Sequence, residues 1–92
     1  MPALTGDEKE YFIDKFESLG RRLFRDTQGS LAKYQIYCHL FDALGEGEQK
    51  RLNNQDTRTI EYMLNRALYL LEQTKDTEYD RTSNRWHKPN KV

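Results

Sequence analysis

The sequence predicts an all-α domain: a small bundle of three main helices, at about 6–26, 31–44 and 56–75, followed by a polar C-terminal tail. Three observations predict it. Apolar residues recur at helical spacing in those segments. Capping residues and glycine breaks punctuate the segments. No stretch shows the period-2 alternation with turn punctuation that a half-buried strand would need.

Thr5 and Glu8 stand at the spacing of a capping box, with Thr5 as N-cap and Glu8 reaching back to its N–H. Asp7, Glu8 and Glu10 put negative charge at the positive end of the first helix dipole. Phe12, Phe16, Leu19 and Leu23 make the apolar stripe, widened by Ile13 and Phe24, and Gly20 beside it invites close approach of another helix. Glu17 and Arg21 form an i,i+4 pair on the wet side. The basic patch Arg21, Arg22 and Arg25 suits the helix C-terminus.

Thr27-Gln28-Gly29-Ser30 reads as a break, with Gly29 free to take positive φ and Ser30 as the next cap. The second helix is apolar around most of its circumference, through Leu31, Tyr34, Ile36, Tyr37, Cys38, Leu40, Phe41 and Leu44. Only Gln35, His39 and Asp42 make a polar stripe, which places this helix centrally or in an oligomer interface, with Cys38 buried and inert. Gly45-Glu46-Gly47 ends it, and residues 48–52 suit a short helical turn. Asn53 to Asp56 then offer N-caps for the last helix. Its stripe, Ile60, Met63, Leu64, Ala67, Leu68 and Leu71, is the strongest helical signal in the chain. Past Lys75 the chain turns polar, and only Tyr79 and Trp86 can anchor it. The organisation expected is a helical domain at 1–76 and a flexible or loosely docked basic tail at 77–92.

At 92 residues, one small domain is the prior. Charged residues make up 33% and the mean hydropathy is −1.02. Leu, Ile, Val and Phe number only 19, near the roughly 20% floor associated with disorder at high net charge. The formal net charge is zero and aromatics reach 12%, so a folded chain is expected. No run approaches the ~18 apolar residues of a membrane span, and residues 1–9 lack the apolar core of a signal peptide. One cysteine excludes an internal disulfide, and one Cys with two His excludes a closed zinc site. Zero net charge argues against a general nucleic-acid coat.

Among candidate sites, one helix face stands out. Tyr62, Arg66, Tyr69 and Gln73 follow one another at i, i+4, i+7 and i+11, opposite the apolar stripe of the last helix. Tyrosine and arginine dominate interface hot spots because they bury large area behind a polar tip. The bland account is an arginine stem resting on tyrosine rings. Trp86 is a second candidate anchor, able to enter a partner pocket or fold back on the helices. The alternative is a nucleotide or nucleic-acid site built from Arg66 and the tail residues Arg81, Arg85, Lys88 and Lys91 beside the tyrosines. His39 and Asp42 lack a placed nucleophile, and helical neighbours Cys38 and His39 point about 100° apart.

The reading is therefore a non-enzymatic protein-interaction module, an inhibitor or adaptor, intracellular (cytoplasmic) and assembled as a homo-oligomer. Small chains bury proportionally little surface, which favours self-assembly. No cofactor, metal or membrane association is expected.

Overall fold

The computed structural model describes residues 3–89. Among these residues the fold is mostly helical, with four helices and a small sheet. In order these are α1 (Gly6–Asp26), β1 (Ser30–Leu31), α2 (Lys33–Asp42), α3 (Glu46–Asn53), α4 (Thr57–Gln73), β2 (Glu78–Asp80) and β3 (Arg85–His87).

Helix α1 begins on the full capping box. Glu8 N–H donates to Thr5 Oγ1 at 3.1 Å, and Thr5 N–H donates to Glu8 Oε1 at 3.0 Å. Phe12, Ile13, Phe16 and Phe24 are buried, with Leu19 and Leu23 packed at their edge. Helix α4 is capped by Asp56, whose carboxylate accepts from Thr59 N–H at 2.7 Å. It buries Met63, Leu64, Ala67, Leu68 and Leu71.

The two long helices run parallel, side by side. Lys9 acts electrostatically on Asp56 at their starts, and Arg21 pairs with Asp76 at 3.0 Å near their ends. Gly20 is what lets them close: a Cβ there would stand 2.7 Å from Leu71 Cδ1. Past α4, Asp76 N–H reaches Leu71 O and Lys75 N–H reaches Glu72 O, while Lys75 takes φ 65°. That is a Schellman stop with lysine where glycine is usual.

Helix α2 differs from the sequence expectation. It starts at Lys33 because Ser30 and Leu31 are taken into strand pairing, and extended backbone cannot also be helical. The cap is Ala32 rather than Ser30, with only half a capping box: Ala32 N–H donates to Gln35 Oε1 at 2.9 Å. The helix is not central. Ile36 and Leu40 are buried against α1, but Tyr34 is 70% exposed and Cys38 is exposed rather than buried. Rings of Phe16 and Tyr37 meet edge-on at 6.2 Å, which helps hold α2 against α1. The turn expected near 48–52 is a full helix, α3, which buries Leu52.

The all-α expectation is corrected at the C-terminal end. Residues expected as a polar tail form an antiparallel hairpin, β2–β3, and β3 also pairs with β1. The turn is built from side chains. Asp80 accepts from Thr82 N–H at 2.9 Å and from the Ser83 hydroxyl at 3.0 Å. Asn84 adopts φ 58° and closes back on Asp80 O at 2.8 Å, a left-handed position asparagine tolerates. Trp86 carries the packing. It stands opposite both Leu31 and Tyr79, is 7% exposed, and joins the hydrophobic core. Its indole N–H donates to Glu72 at 3.2 Å, so the buried polar tip is satisfied. Buried Thr77 donates to His87 O at 2.9 Å.

Candidate functional site

Burial of the Met63/Leu64/Ala67/Leu71 side of α4 turns the opposite side outward. Tyr62 and Tyr69 are 54% and 50% exposed there, with Arg66 and Gln73 between and beyond them. The Arg66 guanidinium carbon lies 5.4 Å from the centroid of the Tyr69 ring. That contact sets the guanidinium over an aromatic face while leaving its N–H donors open.

The row extends further than its sequence spacing first suggests. Arg58, exposed and one turn before Tyr62, falls on the same face. The signal was available: Arg58, Tyr62 and Arg66 are spaced i, i+4, i+8. Among the described residues, neither Arg58 nor Arg66 has a carboxylate at salt-bridge distance. The acids of α4 are elsewhere. Glu61 stands 3.9 Å from Lys33 of α2, and Glu72 accepts from Trp86. The face is thus aromatic and positive, with Asp56 the carboxylate on which Arg58 acts.

Trp86 is not part of it. As a core residue it has little surface to offer a partner, so it is removed from the anchor set. The basic residues of the alternative site are not gathered either. Arg81 is exposed in the β2–β3 turn. Arg85 is spent on structure: its Nε donates to Ser30 Oγ at 2.8 Å, and its Nη2 donates to Ser30 O at 2.8 Å and Gln35 Oε1 at 3.2 Å. Lys88 Nζ donates to the Arg25 carbonyl at 3.1 Å, and Lys91 lies outside the described residues.

On the other long helix, Asp7, Glu10 and Asp14 are exposed along α1 at i, i+3 and i+7. Their neighbour Glu8 behaves differently. A bidentate bond from Arg51 (2.8 Å to each oxygen) and the Thr5 N–H hold its carboxyl down to about 2. On α3, Glu48 is also held below the usual carboxylate range, by the Tyr11 hydroxyl and then the Gly45 N–H.

A groove of about 400 Å³ separates α2 from the start of α4. Tyr34, Tyr37, Ile60 and Leu64 line it, with Lys33 and Glu61 at the rim. His39 and Asp42 are exposed on α2. Among the described residues, no group of three or more His, Cys, Asp or Glu side chains is placed to hold a metal ion. No helix among them is long and apolar enough to cross a membrane. No protein-family model, curated protein or solved structure matches this chain.

Proposed function

We infer that this chain is a non-enzymatic protein-interaction module, an inhibitor or adaptor working inside the cell, and that it docks the outward face of α4 on a protein partner. Tyr62, Arg66, Tyr69 and Gln73 carry the contact. The supporting observation is the pair of half-exposed tyrosines flanking an arginine that has no carboxylate partner among the described residues. Such a face is costly to leave idle in water. Its rings lose apolar exposure on docking, and its guanidinium groups gain charge-assisted bonds.

The test replaces Tyr69 with a photo-crosslinking phenylalanine derivative in cells. Irradiation is expected to yield adducts of one or a few defined masses, lost when Tyr62→Ala and Arg66→Glu are added. A smear, or adducts indifferent to those changes, removes the assignment. Nucleotide or nucleic-acid binding is the alternative. The open Arg66 fork beside Tyr69 favours it, and the engagement of Arg85 with Ser30 and Gln35 weighs against it. It predicts single-stranded oligonucleotide binding that weakens steeply with salt.

A further inference from the structure

We propose that the groove between α2 and the start of α4 takes a proline-rich segment of a protein partner, held in the polyproline II conformation. It is a docking surface separate from the outward face of α4. Leu64, which lines the groove, lies roughly 140–160° around α4 from Tyr62 and Tyr69 at about 100° per residue.

The groove has aromatic and aliphatic walls. Tyr34 and Tyr37 of α2 line it with Ile60 and Leu64 of α4, around a volume of about 400 Å³ that lies within the range of ligand pockets. Tyr37 is a fixed wall, its ring edge-on to Phe16 at 6.2 Å and tilted against Phe41 at 5.8 Å. Tyr34 is 70% exposed, so a ligand in the groove takes much of its ring out of water.

The polar groups around the groove select the ligand. The hydroxyls of Tyr34, Tyr37 and Thr57 have no hydrogen-bond partner among the described residues. Each can donate, and so can Lys33, whereas Glu61 only accepts and already faces Lys33 at 3.9 Å. A ligand rich in carbonyls and poor in N–H groups complements such a set. A proline-rich segment is that ligand: proline has no N–H, the carbonyls of a polyproline II helix make no internal bond, and its rings dock on aromatic grooves. An amphipathic helix fits worse, because its carbonyls are bonded within the helix and leave the groove hydroxyls desolvated and unpaired. A β-strand fits worse too, because both walls are helices and offer no ladder. The polyproline II form also exists before binding, so little conformational entropy is lost on docking. With this groove and the α4 face both occupied, the chain would join two partners, which favours an adaptor over an inhibitor.

The test is a heteronuclear NMR titration of the full chain with capped decaproline, beside a capped Gly-Ser peptide of equal length and an amphipathic Leu/Lys helical peptide. Decaproline is expected to shift the amide signals of Tyr34, Tyr37, Ile60 and Leu64 while those of Tyr69 and Gln73 stay in place. Tyr34→Ala, at a position exposed in the fold, should weaken binding about tenfold. Tyr37→Phe keeps the ring and removes the hydroxyl, and should weaken binding about three- to tenfold, the worth of one hydrogen bond. No groove shifts at millimolar decaproline, equal shifts from either control peptide, or binding unchanged in both variants would each overturn the proposal. Groove shifts that grow with chain concentration alone would mean that a second copy fills the site, and would overturn it as well. Its failure leaves the α4 reading standing, since the Tyr69 cross-link reports on a different side of that helix.

Discussion

The α1–α4 frame and the β2–β3 hairpin solve the same problem by different means. In the frame, apolar residues recur every turn, and each helix satisfies its own backbone. Phe16, Phe24, Met63 and Leu71 are each almost wholly buried, so no single one is the sole support. The hairpin has no such redundancy. Of its strand residues, Trp86 is buried, and the rest of its hold is polar: a hydrogen-bond ladder, the Arg85 bonds to Ser30 and Gln35, the Trp86 indole on Glu72 and the Thr77 hydroxyl on His87 O. A helix pair held by many small burials degrades gradually under mutation. A hairpin held by one large burial comes away at a single position.

Trp86→Ala tests this most directly. Truncating a buried aromatic costs roughly 3–5 kcal/mol, a large share of what a domain of this size has to lose. Beyond that loss in chemical melts, hydrogen exchange should show β2, β3 and β1 unprotected while α1 and α4 keep partial protection. Uniform loss in all elements would mean that hairpin and frame are one cooperative unit and would break the comparison.

Gly20→Val is the counterpart inside the frame. The added carbon falls 2.7 Å from Leu71 Cδ1, so the helices must part or Leu71 must leave its rotamer. Overpacking of this kind costs roughly 1–3 kcal/mol. The expectation is a lower midpoint in denaturant with the near-ultraviolet signal of Trp86 retained. A change of that signal as large as in Trp86→Ala would show the two regions coupled through Leu71.

The smallest effect is in pH. In the frame, Glu8 is held at about 2 against an ordinary 4.5, first by Arg51 and then by the Thr5 N–H. In the hairpin turn, Asp80 is likewise lowered, first by the Thr82 N–H and then by the Ser83 hydroxyl. A depressed carboxyl stabilises the fold fully above its unfolded pKa, and that stabilisation is lost as pH falls through the folded value. For Glu8 the window therefore runs from 4.5 down to about 2. Glu8 is exposed enough for salt to erode the effect. Thermal melts of Glu8→Gln across that window should show a shallower decline than wild type. An unchanged slope would place the acid sensitivity of the chain in other carboxylates, Asp80 among them.

What was legible follows from locality. Thr5 with Glu8, Asp56 before the last helix, Gly29 at a positive φ and Gly20 at the helix crossing are each recognisable from a few neighbouring residues. The Tyr62/Arg66/Tyr69 row is legible for the same reason, since it is a consequence of helical period alone. The hairpin was hidden because its strand residues are mostly polar and flank a turn whose geometry comes from Asp80 and Asn84. The burial of Trp86 and the exposure of Cys38 were hidden too, since both depend on what lies across the fold.

By itself, then, the sequence determined the two long helices, their N-caps Thr5 and Asp56 and the two-sided character of α4, because these rest on interactions within one or two turns. Only the tertiary structure decided the sheet, the shortened start of α2 and the fate of Trp86 and Arg85. Those contacts join residues such as Ser30 and Arg85 that are 55 positions apart. Closing a chain segment of that length costs entropy that no local sequence signal records.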